Sequence, residues 1–100
     1  MVNYIVKVFF TQYEVMDVVK QFILEDVHND KEAIDKCEEY ARLYETELNN
    51  NYYNDLPDTI VTVKLEKYDS DYMFPFTIGI AEIRKAGEYR LWNTCCEWTY

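Results

Sequence analysis

Few side chains in this sequence could do chemistry, and none belongs to a recognisable catalytic motif. His28 is the only histidine and lies near Asp26 and Asp30, so it could act as a general base. A polar residue at the entry of a helix is the simpler interpretation. Cys95 and Cys96 could bind a soft metal together with Cys37 and His28, but adjacent residues of a strand point to opposite faces and chelate poorly. We therefore predict no enzymatic activity, no metal and no cofactor.

Phosphate-binding and calcium-binding loops are also missing from the sequence. Gly79 and Gly87 are the only glycines, so no glycine-rich turn is present that could cradle a phosphate. The paired carboxylates at Glu38–Glu39, and those at Asp69 and Asp71, lack the spacing of a calcium-binding loop. We interpret these carboxylates as surface acids.

The distribution of charge is the clearest functional signal. The net charge is −9, and residues 25–58 hold eleven acids and three bases, which account for −8 of it. Such a chain should be repelled by nucleic acid and by anionic membranes, because both are bound through clustered lysines and arginines. A basic protein surface should attract it over some distance. The charge therefore predicts a basic protein partner, with no direct nucleic-acid binding and no membrane binding.

A helix is predicted to position these acids. From Lys31 to Asn49 apolar residues recur at steps of three and four, and Asn29-x-x-Glu32 fits a capping box at its start. The apolar stripe contains Ile34, Cys37, Ala41, Tyr44 and Leu48. Most of the acids lie off this stripe and are expected to face outward. The predicted partner-binding residues are Glu32, Asp35, Glu38, Glu39, Glu45, Glu47, Tyr52, Tyr53 and Asp55.

The acidic helix has a plainer interpretation as well. Charged runs usually form solvated faces, and acids in the first turn of a helix complement its dipole. On this interpretation the acids promote solubility and bind nothing. Segregation of the charge into one segment, rather than its spread along the chain, favours a binding role.

The remaining segments predict an antiparallel sheet. Four of them combine β-branched or aromatic residues with alternation, and these are residues 4–10, 59–68, 72–84 and 89–98. Residues 11–27 are ambiguous: Thr11-x-x-Glu14 fits a helix cap, whereas Val18–Leu24 is dense in strand-favouring residues. We favour a strand there, joined to the first by a connection at residues 11–16. The prediction is one α+β domain over residues 1–100, an antiparallel β-sheet in the order β-β-α-β-β-β with the amphipathic acidic helix packed on one face.

The segment Asn29 to Asp58 (NDKEAIDKCEEYARLYETELNNNYYNDLPD) resembles small acidic phage-encoded inhibitors of bacterial defence, the anti-CRISPR and anti-restriction proteins. The resemblance covers about a third of the chain and lies in its composition. It implies a stoichiometric inhibitor that mimics nucleic acid and occupies the nucleic-acid site of a host protein. The compartment so implied is the cytoplasm of a host cell.

Two further features bear on compartment and assembly. Residues 1–10 lack a basic region and a cleavage site typical of a signal peptide, and the odd cysteine count suits reduced thiols, so we expect a cytoplasmic protein. Trp92, Trp98 and Tyr100 share one alternation of the last strand. They fit either a core beneath the helix or the seam of a homodimer. A structural or regulatory homodimer assembled through this aromatic strand is the alternative function.

Overall fold

Five strands and one helix make up the part of the chain that a computed structural model describes, residues 2–12, 15–50, 59–86 and 91–98. In chain order they are β1 (Val2–Gln12), β2 (Val15–Leu24), α1 (Asp30–Asn50), β3 (Thr59–Asp69), β4 (Phe76–Ala86) and β5 (Leu91–Trp98). The predicted α+β fold and its order are confirmed. Within the ambiguous segment, residues 15–24 form strand β2, as favoured. The connection predicted at residues 11–16 is too long, because residues 11–12 belong to β1 and residues 15–16 to β2. The strand predicted to end at residue 84 continues to Ala86, and residues 87–90 lie outside the described residues.

The five strands form one antiparallel sheet in the order β2-β1-β3-β4-β5. Strand β1 pairs with β2 on one side, where Val6 lies opposite Phe22, and with β3 on the other, where Val6 lies opposite Leu65. After the helix, the chain therefore returns to the free side of β1. Strands β2 and β5 become the two edges of the sheet.

The hydrophobic core lies between one face of the sheet and α1. Alternating residues of the central strands are fully buried there, namely Val6, Val8, Val61, Val63 and Leu65. The helical stripe faces them: Ile34, Cys37, Ala41 and Leu48 are buried, joined by Ala33, while Tyr44 is half-buried. Each large apolar side chain buried in this way stabilises the fold by about 1.5–3 kcal/mol. The predicted packing of one helix face on one sheet face is thus confirmed.

Strand β4 begins later than the sequence predicts. We expected it to start at Tyr72, but residues 72–75 form a loop and the strand starts at Phe76. Asp69 turns the chain here, because its carbonyl oxygen accepts the Tyr72 N–H at 3.0 Å and its carboxylate accepts the Asp71 N–H at 3.1 Å. Pro75 then cannot donate to a sheet ladder. Asp69 and Pro75 together keep the apolar residues 72–74 outside the sheet.

Gly79 lets β5 approach β4 closely. The β3–β4 register shifts between Leu65 and Glu66, which leaves Ile78 as an extra residue beside Gly79. A Cβ atom at Gly79 would lie 2.2 Å from the backbone oxygen of Glu97 on β5. Only glycine therefore fits at this position, which lies next to the bulge at Ile78.

The side chain of Asn49, in the last turn of α1, is bonded to the edge strand β5. Its Nδ2 donates to the carbonyl oxygen of Trp92 at 3.1 Å, and its Oδ1 accepts the Trp92 N–H at 2.9 Å. Two residues of antiparallel strands exchange hydrogen bonds in the same way. The C-terminal end of the helix is therefore fixed to the sheet by a polar contact as well as by packing.

Candidate functional site

The first predicted site residue, Glu32, holds the start of the helix together. Its backbone N–H donates to the Asn29 side-chain oxygen at 2.8 Å, and its carboxylate accepts the N–H of His28 at 2.8 Å. The predicted capping box is thus present, with the carboxylate reaching one residue further back than expected. Glu32 and His28 are both exposed. The structural role of Glu32 leaves its charge at the surface.

Three predicted acids share one outward line along α1. Asp35, Glu39 and Glu47 are exposed, and Leu43 lies between the last two at the four-residue spacing that places side chains on one ridge. We name these four residues the acidic ridge. Lys31 approaches Asp35 at 3.8 Å, and Lys36 approaches Glu39 at 3.6 Å, although the two carboxylate side chains remain 64% and 65% exposed. The ridge is therefore solvated and partly paired within the helix.

Glu38 and Glu45 turn away from the acidic ridge towards strand β5. The Trp98 indole Nε1–H donates to Glu38, and the Thr94 hydroxyl donates to Glu45 at 2.7 Å. Glu45 also approaches Arg42 at 3.4 Å, and its side chain is only 21% exposed. The two acids therefore link helix and sheet, so the structure does not bring them together with the outward acids. Tyr52, Tyr53 and Asp55 lie outside the described residues.

Leu43 is a candidate binding residue that the sequence analysis missed. Its side chain is 61% exposed, on a helix whose other apolar residues mostly face the core. It borders a shallow cavity of about 190 Å³, shared with Lys36, Glu39 and Tyr40. The available signal was an isolated leucine off the apolar stripe with acids four residues away on both sides. This geometry could seat an apolar side chain of a partner among the charges.

The sequence also did not indicate an ionic cluster on the face of the sheet that points away from α1. Glu66 is only 4% exposed and accepts the Tyr68 hydroxyl at 2.8 Å, while Lys7 and Lys64 approach it at 3.2 Å and 3.4 Å. Burial raises the pKa of Glu66, but the hydrogen bonds from Tyr68 and Lys7 and the two lysine charges outweigh it. The pKa of Glu66 is therefore below its usual value. The hydrogen bond with Tyr68 is the main reason that the pKa of Lys7 is raised. Both groups are charged at neutral pH, which suits a structural cluster better than proton transfer.

The cysteines do not form a metal site in the described residues. Cys37 is buried, and burial raises the pKa of its thiol to about 12, so it is protonated and unreactive at neutral pH. Cys95 is exposed and Cys96 half-buried, on opposite faces of β5. Across the described ranges, no three His, Cys, Asp or Glu side chains are grouped so that they could hold a metal ion.

The tryptophans of β5 face the helix. Trp92 is 1% exposed, and Trp98 packs at the margin of the core with its indole on Glu38. Of the two interpretations of this strand, a core beneath the helix or the seam of a homodimer, their positions match the core. Tyr100 lies outside the described residues. No exposed aromatic seam is formed by Trp92 and Trp98, so no contact of theirs favours the homodimer alternative.

Comparison of the chain with family models, with curated proteins and with solved structures finds no match. No helix in the described part of the chain is long and apolar enough to cross a membrane. The function is therefore inferred from the residues of this chain, beginning with the acidic ridge.

Proposed function

We propose that this protein is an interaction domain that docks through its acidic helix on a basic, nucleic-acid-binding surface of another protein. One observation carries the proposal: residues 25–50 hold nine acids against three bases, and the acidic ridge presents three of these acids to solvent. A localised negative field of this kind accelerates encounter with a positive surface and orients the partner.

The lysines beside the ridge do not oppose docking. Exposed ion pairs within a helix stabilise it by only about 0.3–0.5 kcal/mol. Asp35 and Glu39 can therefore exchange Lys31 and Lys36 for lysines or arginines of a partner at little cost.

The spacing of the ridge supports mimicry of a nucleic-acid strand. Residues four apart on a helix are displaced by about 6 Å along its axis. Consecutive phosphates of one strand of duplex DNA rise by roughly 3.4 Å along the duplex axis and also wind around it, so their separation exceeds this rise. The spacing of Asp35 and Glu39 is therefore of the same order as that of neighbouring phosphates. Leu43 adds an apolar contact that nucleic acid lacks, and such contacts commonly supply binding energy at protein interfaces.

Docking of this kind would exclude nucleic acid from the partner without any chemistry. The protein would then act as a stoichiometric inhibitor, in the manner of the anti-CRISPR and anti-restriction proteins that its acidic segment resembles. The charged residues proposed to meet the partner are Asp35, Glu39 and Glu47, with Leu43 as the apolar anchor. Glu38 and Glu45 are proposed to act indirectly, by positioning the helix on the sheet.

The test is capture of partners from an extract of the cells in which the protein acts, followed by elution in a salt gradient. We expect to capture a nucleic-acid-binding protein that elutes as salt rises above physiological strength. Nucleic acid that this partner binds should compete with the acidic helix for it. The variant Glu39→Lys with Glu47→Lys should lose this partner. The control variant Glu82→Lys with Glu97→Lys changes the net charge equally, on the other face of the sheet. If both variants lose the partner equally, or if neither variant loses it, the acidic ridge is excluded as the binding site.

A further inference from the structure

The loop between β3 and β4 exposes a continuous run of large apolar side chains. Tyr72 is 61% exposed, Met73 91%, Phe74 74% and Phe76 45%. Of the large apolar side chains whose exposure the structure describes, Met73 and Phe74 are the two most exposed. Single exposed apolar residues are normal, but a cluster of this kind marks an interaction site. We name residues 72–76 the apolar loop.

The apolar loop is held in shape by its own contacts. The rings of Tyr72 and Phe76 pack edge to face, with their centroids 5.0 Å apart and their planes at 79°. The two hydrogen bonds to Asp69 fix its first turn, and Pro75 restricts the backbone before β4 begins. Met73 and Phe74 are therefore presented at the tip of an ordered loop. Such a loop loses less conformational entropy on binding, so the free-energy cost of association is smaller.

The charges beside the apolar loop select the kind of partner. Between residues 68 and 81 the only charged side chains are Asp69 and Asp71, because the sequence has no lysine or arginine there. The preceding base, Lys67, is paired with Asp30 of α1 at 3.0 Å. Acids next to the loop, and a net charge of −9, disfavour an anionic membrane and a second copy of this chain. They favour a positively charged protein surface.

We propose that the apolar loop docks into an apolar pocket, rimmed by lysine or arginine side chains, on a partner protein. Met73 and Phe74 enter the pocket, and Asp71 meets the basic rim. Val2, which is 41% exposed, lies opposite Asp69 in the β1–β3 ladder, at the end of the sheet where the loop begins. This site lies on different elements from the acidic ridge and does not depend on it.

Photo-crosslinking tests the proposal directly. A photoreactive benzoylphenylalanine replaces Phe74 in one variant and Ile23, which is 69% exposed on edge strand β2, in the control. Both full-length variants are irradiated in an extract of the cells in which the protein acts, and crosslinked peptides are mapped by mass spectrometry. We expect position 74 to crosslink one protein at apolar residues flanked by lysine or arginine, and position 23 not to reach it.

Binding to the purified crosslinked protein supplies the quantitative arm. The variant Met73→Ser with Phe74→Ser should bind about 30-fold or more weakly, because anchor residues of interfaces dominate affinity. Asp71→Lys should weaken binding by about 3–10-fold, an effect that shrinks at high salt. Ile23→Ser should bind as the wild type does. Two serines at exposed positions leave the core unchanged, so unfolding midpoints should match and show that the loss is local.

Four results would overturn the proposal. Absence of any crosslink specific to position 74 excludes a partner at the apolar loop. Crosslinks to an acidic surface refute the charge argument. Self-crosslinks assign the loop to a second copy of this chain. Sedimentation of the wild type with phosphatidylcholine vesicles, lost in the double serine variant, assigns the loop to a membrane. Loss of binding at the acidic ridge leaves these outcomes unaffected, so the two proposals fail separately.

Discussion

Replacing Glu38 or its neighbour Glu39 by alanine separates a carboxylate that supports the fold from one that faces solvent. Both substitutions remove the same charge and give the same gain in helix propensity, so these effects cancel in the comparison. The only large difference is the contact that is lost. Glu38 accepts the indole N–H of Trp98 on β5, whereas Glu39 contacts exposed Lys36 at 3.6 Å.

The expected magnitudes differ severalfold. A hydrogen bond to a charged acceptor contributes about 1.5–3 kcal/mol, and the half-buried indole N–H of Trp98 would keep only partial access to water. We take about 2 kcal/mol for Glu38→Ala and about 0.3–0.5 kcal/mol for Glu39→Ala. For a domain of this size, 2 kcal/mol lowers the melting temperature by roughly 8–16 °C.

Urea denaturation followed by far-ultraviolet circular dichroism measures the difference without relying on the fluorescence of Trp98. We expect a lower midpoint for Glu38→Ala with an unchanged dependence on urea, and a midpoint near the wild type for Glu39→Ala. Equal midpoints for the two variants would refute the assignment of Glu38 to the helix–sheet contact. They would also return Glu38 to the set of acids available to a partner.

Three further predictions concern the fold. Gly79→Ala should destabilise it by about 1–3 kcal/mol, because the added methyl would lie 2.2 Å from the backbone oxygen of Glu97; an unchanged urea midpoint would contradict this steric reading. Asn29→Ala should cost about 1 kcal/mol in thermal unfolding by removing the acceptor of the Glu32 N–H, and Asn29→Asp should largely restore the stability. The pKa of Glu66 is lower in the folded than in the unfolded chain. The ionised carboxylate therefore contributes fully to the free energy of unfolding at neutral pH. This contribution is lost as the pH falls from the ordinary glutamate pKa through the folded value. The difference in unfolding free energy between the wild type and Glu66→Gln should therefore shrink in acid, and a difference independent of pH would rule out this linkage.

The sequence predicts the elements well because their periodicities are strong. The stripe from Ile34 to Leu48 defines the buried face of the helix, and the alternation of β3 defines its core face. Residues 72–75 were assigned to a strand because aromatic side chains favour strands, although Pro75 already indicated a break. Local preference alone therefore misplaced the start of β4.

The roles of individual acids depend on tertiary structure and could not be predicted. Glu38 and Glu39 are adjacent in the sequence, and the helical turn between them, about 100°, decides which one reaches β5. That outcome requires the position of β5 in the sheet, which no local pattern specifies. The cluster around Glu66 likewise requires β1 and β3 to be neighbours, so that Lys7 and Lys64 meet the same carboxylate.

The bond between Asn49 and Trp92 bears on self-association of the chain. An open edge strand is a template on which the strand of another molecule can pair and start aggregation. At Trp92 both outward backbone groups of β5 are occupied by the amide of Asn49. An incoming strand would have to displace two hydrogen bonds there before it could add to the sheet. A single side chain of the helix thus protects part of this sheet edge from pairing with the strands of other molecules.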